Sequence, residues 1–232
     1  MSDTLLSICQ AVSSELLYDA PQTIIGNQDA NAILLKAFAS STCKELIRDH
    51  QWQALKRTYT FTTSVGVDAY DLPSDIRAPL NLTFWNRSEK TPVQASSSIE
   101  WQALQSGVLL SGIRYNMVFE QNQLKIYPVP SYEMTIAFNY YSNAFAEDGT
   151  TGTAKSDFTL DTDVCRLDGD LIVRGVKVKL AQRFGLPWGT FQADYDSAIE
   201  QLQDIDEPRG IIDLSGSLRK YSNAGQYWPN LV

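Results

Sequence analysis

The apolar residues of this chain change period twice. Up to residue 55 they recur at helical spacing. From 56 to 143 they sit among β-branched and aromatic residues in strand-like runs. From 164 to 206 the helical spacing returns. Helices at both ends of a strand-rich middle point to an α+β fold.

The first helix is predicted over 4–18, with Leu5, Leu6, Ile8, Cys9, Val12, Leu16 and Leu17 at helical spacing. Asp3 or Thr4 is its N-cap, and Ala20-Pro21 ends it because the residue before proline avoids the α region. The second is predicted over 29–49. Its stripe (Ala30, Ile33, Leu34, Ala37, Phe38, then Cys43, Leu46, Ile47) is wide enough to meet more than one neighbour. The third runs over 164–184, with Arg166, Asp170, Arg174 and Lys177 on a face opposite its apolar residues. Its Asp170–Arg174 pair is worth about 0.2–0.5 kcal/mol. Gly185-Leu186-Pro187 stops it. The fourth opens at Thr190 and carries Phe191, Tyr195, Ala198, Ile199, Leu202 and Ile205 as one stripe, with Pro208 and Gly210 at its end.

Short connectors make each successive pair an antiparallel hairpin, and the economical arrangement is one antiparallel four-helix bundle. Residues 1–55 and 161–206 form that bundle, and residues 56–160 are an inserted antiparallel β-rich domain. Within the insertion, strands are expected near 58–63, 67–72, 80–85, 93, 115–120, 123–127 and 134–141, with a brief helix over 98–105. Pro128 and Pro130 favour a sheet edge at 123–127. Residues 144–160 are rich in Gly, Thr, Ser and Asp and read as a long loop, functional or mobile. Residues 207–232 are an extended C-terminal tail.

With 19 Lys and Arg against 27 Asp and Glu, the net charge is −8. A general nucleic-acid binder or a polybasic membrane anchor needs the opposite sign. There is no apolar run of about 18 residues or more, so no membrane span is expected. The start has no basic secretory signal. Cys9, Cys43 and Cys165 are odd in number and far apart, which suits free, buried thiols in a reducing compartment.

Few residues present themselves for chemistry. His50 is the one histidine. It lies two helical turns from Cys43, roughly 10 Å, whereas a nucleophile and its base need about 3 Å. A buried thiol and a helix-end histidine are the plainer reading. Asp157, Asp161, Asp163, Asp168 and Asp170 are clustered, but from Asp161 the fifth and sixth positions are Cys165 and Arg166, which breaks the calcium-loop pattern. Acids capping a helix entrance explain them more simply. No phosphate-loop, dinucleotide, nucleophile-elbow or zinc-protease motif is present. No catalytic residue, metal or cofactor is therefore expected.

Two features remain. Asp196, Glu200 and Asp204 form an acidic ridge on the fourth helix, either a solvated face or a surface that repels a passing polyanion. The tail holds Leu218, Tyr221, Tyr227, Trp228, Leu231 and Val232, aromatic for a disordered tail and typical of interface anchors. It either folds back on its own domain or docks on a partner.

Several short motifs occur in order. Asp49-His50-Gln51-Trp52-Gln53-Ala54-Leu55 runs into Tyr59-Thr60-Phe61-Thr62-Thr63. Tyr70-Asp71-Leu72-Pro73-Ser74-Asp75, Phe84-Trp85-Asn86-Arg87 and Glu100-Trp101 follow. Then come Leu124-Lys125-Ile126-Tyr127-Pro128-Val129-Pro130 and Phe158-Thr159-Leu160-Asp161-Thr162-Asp163. Over residues 4–206 this order resembles the head-to-tail adaptor (connector) proteins of tailed bacteriophages, the short-tailed type especially. The resemblance implies a non-enzymatic virion protein at the head–tail junction, assembled in the host cytoplasm. It implies a homo-oligomeric ring of about twelve copies beneath the portal protein. A tail nozzle or tube protein and tail fibres would attach below, and double-stranded DNA would pass without sequence-specific binding. The bundle would build the ring, with Arg166, Asp170, Arg174 and Lys177 as subunit-interface candidates. The ridge would face the channel and the tail would dock on the portal, although no motif matches from 207 onward. The competing expectations are a tail-associated cell-wall glycosidase, which needs two carboxylates in a cleft, and a tail-completion or fibre-attachment protein that does not bind the portal.

Overall fold

The computed structural model describes residues 3–16, 19–107, 115–120 and 122–206. It is a mixed α+β structure. Two helices come first, α1 (Leu5–Leu16) and α2 (Ala30–Asp49), followed by a short 3-10 turn at Gln53–Leu55. The strand-rich part holds β1 (Lys56–Thr62), β2 (Ala69–Asp71), β3 (Ile76–Pro79), β4 (Trp85–Asn86), β5 (Thr91–Pro92) and β6 (Gln94–Ala95). After α3 (Ser98–Gln105) come β7 (Asn116–Glu120), β8 (Gln123–Tyr127) and β9 (Thr135–Ser142). Three two-residue strands, β10 (Ala146–Glu147), β11 (Ala154–Lys155) and β12 (Val164–Cys165), precede α4 (Gly169–Phe184) and α5 (Gly189–Asp206).

In β1, exposed and inward residues alternate, which turns Tyr59 and Phe61 toward the core. β1 pairs antiparallel with β9, from Lys56 opposite Tyr141 to Thr62 opposite Thr135. β3 and β4 also pair with β9, and β5 extends that sheet beyond β4. A second sheet runs β2-β8-β7-β6. Here two expectations need correction. β6 and β7 pair in parallel, so the insertion is not wholly antiparallel. A parallel pair needs a crossover, and α3 lies within it. Ser97 and Glu100 form a capping box at the start of α3. β8 has neighbours on both sides rather than lying at an edge, because Pro128 falls one residue past the last paired position.

Most of the buried apolar residues fall into two clusters. Phe84, Met117, Leu124, Ile126, Ile136 and Phe138 centre one between the sheets. The other joins α1, α2 and α4 through Leu5, Ile8, Leu35, Leu46, Leu171 and Leu180. Phe145 and Phe158, edge to face with centroids 5.2 Å apart, belong to this helical cluster. α4 is the hub, packing on α1, α2 and α5. Gly175 permits this: a Cβ there would meet Thr42 Cγ2 at 2.5 Å and the Tyr195 ring at 3.0 Å. Gly185, at φ +68°, ends α4 in the left-handed region.

The segment expected as a loop over 144–160 instead carries β10 and β11, and β12 completes their three-stranded sheet. The third predicted helix consequently starts later. Val164 and Cys165 pair with Glu147 and Ala146, and Asp168 caps α4 by accepting from Leu171 N at 2.9 Å. Around β12 the chain grips the N-terminal segment. Leu5 N donates to Asp163 O at 2.9 Å and Cys165 N to Asp3 O at 2.9 Å. Asp161 Oδ1 accepts from the N–H groups of Ile24 (3.0 Å) and Ile25 (2.7 Å).

Asp163 is wholly buried. It accepts from Lys155 Nζ (2.6 Å) and from the N–H groups of Thr159 (2.6 Å) and Leu160 (2.8 Å). Burial alone would raise its pKa, but those donors outweigh burial and hold it below the ordinary carboxylate range. Asp157 is lowered in the same way: burial opposes, and Ser40 and Lys44 prevail. The N–H groups of Thr151 and Thr150, then Lys155, hold Asp148 at about 2. A carboxylate whose folded pKa is depressed stabilises the fold fully above its unfolded pKa. That stability is lost as pH falls through the folded value. The thermal midpoint, followed by circular dichroism, is therefore expected to fall as pH drops from about 5 to about 2. A midpoint that holds steady or rises over that interval would contradict this pairing.

Candidate functional site

The ridge is built by the way α5 rests on α4. Tyr195, Ala198, Ile199 and Leu202 recur at helical spacing and are half-buried against the helical core, while no residue of α5 is fully buried. Burial, then the nearby Glu45 and Asp49 carboxylates, push the Tyr195 hydroxyl's pKa well up, so it stays protonated. The helix begins at Gly189, so Thr190, expected as its cap, lies inside it. Asp196, Glu200 and Asp204 lie on the exposed side. α5 contains no Lys, Arg or His. Among the described residues no cation pairs with these three acids; Asp196 accepts only from its own helix, from Gln192 Nε2 at 2.7 Å.

The lower end of α5 is stapled in place. Asp206 Oδ2 takes Gln53 N at 2.9 Å and lies 3.3 Å from His50 Nε2. His50 meets Trp52 edge to face at 4.7 Å, and Trp52 Nε1 donates to Leu46 O at 2.8 Å. The motif linking α2 to β1 thus fixes where α5 ends. Beside it lies a groove of about 210 Å³, lined by Trp52, Ala54, Leu167, Leu171, Leu202 and Ile205.

The four subunit-interface candidates are not on one helix face. Arg166 precedes α4 and reaches back to Glu147 (3.4 Å) and Ala54 O (3.1 Å). Asp170 and Arg174 pair with each other at 2.9 Å, as their spacing predicts. Lys177 pairs with Glu15 of α1. A helix start placed at Val164 put Arg166 on the wrong element, because a two-residue strand has no periodicity to read.

The three cysteines are free and buried. Cys43 and Cys165 lie with their sulfurs 3.9 Å apart, and burial, then that neighbour, raise the Cys43 pKa well above the ordinary thiol value. Burial, then the Asp161 charge, raise the Cys9 pKa to about 12. Protonated thiols are poor nucleophiles. Among the described residues no group of three or more His, Cys, Asp or Glu is arranged to hold a metal ion. No described helix is long and apolar enough to cross a membrane. The tail candidates Leu218, Tyr221, Tyr227, Trp228, Leu231 and Val232 lie outside the described residues.

Two surface features have no counterpart in the motif reading. The turn from α4 to α5 exposes Phe184, Leu186 and Trp188 together. On α2, Lys36, Lys44 and Arg48 line a shallow groove together with Ile33, Ala37, Glu45 and, from the loop before β12, Asp157. For the first of these, only the close spacing of Phe184, Leu186 and Trp188 around a stop signal could have marked them.

Against known protein families, the chain matches the family model described as SU10 adaptor protein over residues 3–217. No curated protein matches it.

Proposed function

The chain belongs to the SU10 adaptor protein family, and from that premise we propose that it is a structural head-to-tail adaptor of a bacteriophage virion rather than an enzyme. The observation that carries this reading is a family match spanning nearly the whole chain. In this reading residues 1–55 and 161–206 pack as a four-helix bundle that builds a ring of about twelve copies. Residues 56–160 project from it, and residues 207–232 dock on the portal protein. The nozzle or tube and the fibres attach on the tail side, and the genome passes through the ring.

The ridge suits that passage. Each phosphate contact in a channel would hold the genome back, so a lumen should repel DNA rather than bind it. An exposed row of Asp196, Glu200 and Asp204 without cation partners among the described residues, on a chain of net charge −8, supports a channel-facing ridge. A closed heterologous ring needs two different complementary patches per subunit. Asp170 and Arg174 at the surface of α4, with Arg166 and Lys177 beside them, are candidates for one patch.

Replacing Asp196, Glu200 and Asp204 together with Lys is expected to slow genome ejection at least about tenfold at low salt, with a smaller effect at high salt. Ejection from virions carrying the variant, followed by fluorescence of released DNA, reads this out. Unaltered kinetics would remove the ridge from the channel.

A further inference from the structure

The groove beside Asp206 lacks a side chain to fill it among the described residues. Its lining is mostly aliphatic and aromatic, yet Ile205 at its rim is 63% exposed. At about 210 Å³ it is smaller than the roughly 300 Å³ at which small-molecule sites begin. It fits one or two aliphatic side chains. The chain itself supplies a pair: Glu207-Pro208-Arg209-Gly210-Ile211-Ile212 follows the last residue of the groove's rim. Five residues span up to about 17 Å, so Ile211 can reach the groove when the chain turns back over it. Pro followed by Gly two residues on is turn chemistry. The rim carries Arg166 with Asp168 and Asp206, and the segment carries Arg209 with Glu207 and, just beyond Ile212, Asp213, so each side holds charges of both signs.

We infer that this groove is the seat of Ile211 and Ile212 of the same chain. The seat anchors the start of the C-terminal segment against the connection from α2 to β1, so the last residues leave from a fixed point. It is a property of the single chain and stands whether or not the chain builds a ring.

Cysteine pairing tests it. Ala54 lines the groove and is exposed, and the three native thiols are buried and do not compete. In dilute full-length protein carrying A54C and I212C, mild oxidation should join the two positions within one chain. The rate should exceed that of a control carrying A54C and S222C by about tenfold or more. Equal rates, or disulfides formed between chains, would overturn the seat. A second measurement avoids dependence on disulfide geometry. In the full chain, I211D with I212D should speed amide exchange at least about tenfold across residues 202–206 while β1 and β9 keep their protection. Unchanged exchange at 202–206 would also overturn it.

Discussion

A chain ending at residue 213 is expected to lose its capture of portal rings while keeping its fold. Among the described residues, the helical cluster draws on Leu5 through Leu202 and the other lies between the sheets, all upstream of the last nineteen residues. Deletion of 214–232 therefore removes no side chain from either described core. It does remove Leu218, Tyr221, Tyr227, Trp228, Leu231 and Val232. Buried Tyr and Trp anchors at interfaces are worth about 2 kcal/mol or more each on truncation. Loss of two such anchors alone weakens binding by roughly a thousandfold. Surface-immobilised portal with full-length and shortened chains reads the affinity, and circular dichroism reads the fold. Undiminished affinity in the shortened chain would move portal recognition elsewhere, and the exposed Phe184, Leu186 and Trp188 would be examined next.

Asp163→Ala is expected to cost about 2–5 kcal/mol of folding stability, because two buried backbone N–H groups lose their acceptor at about 1–3 kcal/mol each. The side chain is fully buried and accepts from Lys155 and from two backbone N–H groups. Its removal leaves those N–H groups without their acceptor, while Lys155 retains Asp148 at 3.0 Å. The damage should spread, because the Asp163 carbonyl receives Leu5 N at the start of α1 and the next residue, Val164, bridges Thr4. A domain of ordinary stability, about 5–15 kcal/mol, would lose a large part of it. Urea unfolding of the variant measures the loss. A change within about 0.5 kcal/mol would show that the backbone around β12 holds without the carboxylate.

The elements that local chemistry specifies were legible in the sequence, and those that tertiary pairing specifies were not. α1, α2 and α5 follow from apolar spacing, and α3 from Trp101 and Leu104 as its apolar side. The α+β class followed from the change of period. β12 did not, because Val164 and Cys165 read equally well as the first turn of a helix until β10 is beside them. The parallel pairing of β6 with β7 rests on two residues of register. The Asp206 staple to His50 and Gln53 and the meeting of Cys43 with Cys165 join positions far apart in sequence, with no local signal at either end. The ridge was legible because one helix carries all three acids. The groove beside it was not, because it takes residues from the α2–β1 connection, α4 and α5.

The most direct measurement is electron microscopy of complexes captured through a tag on this chain from the lysate of cells producing the virion. An adaptor should appear as a ring of about twelve copies stacked coaxially on a second, portal ring. A lone chain, or a complex holding tail components without a portal, would contradict the adaptor reading and favour a fibre-attachment protein or a tail enzyme.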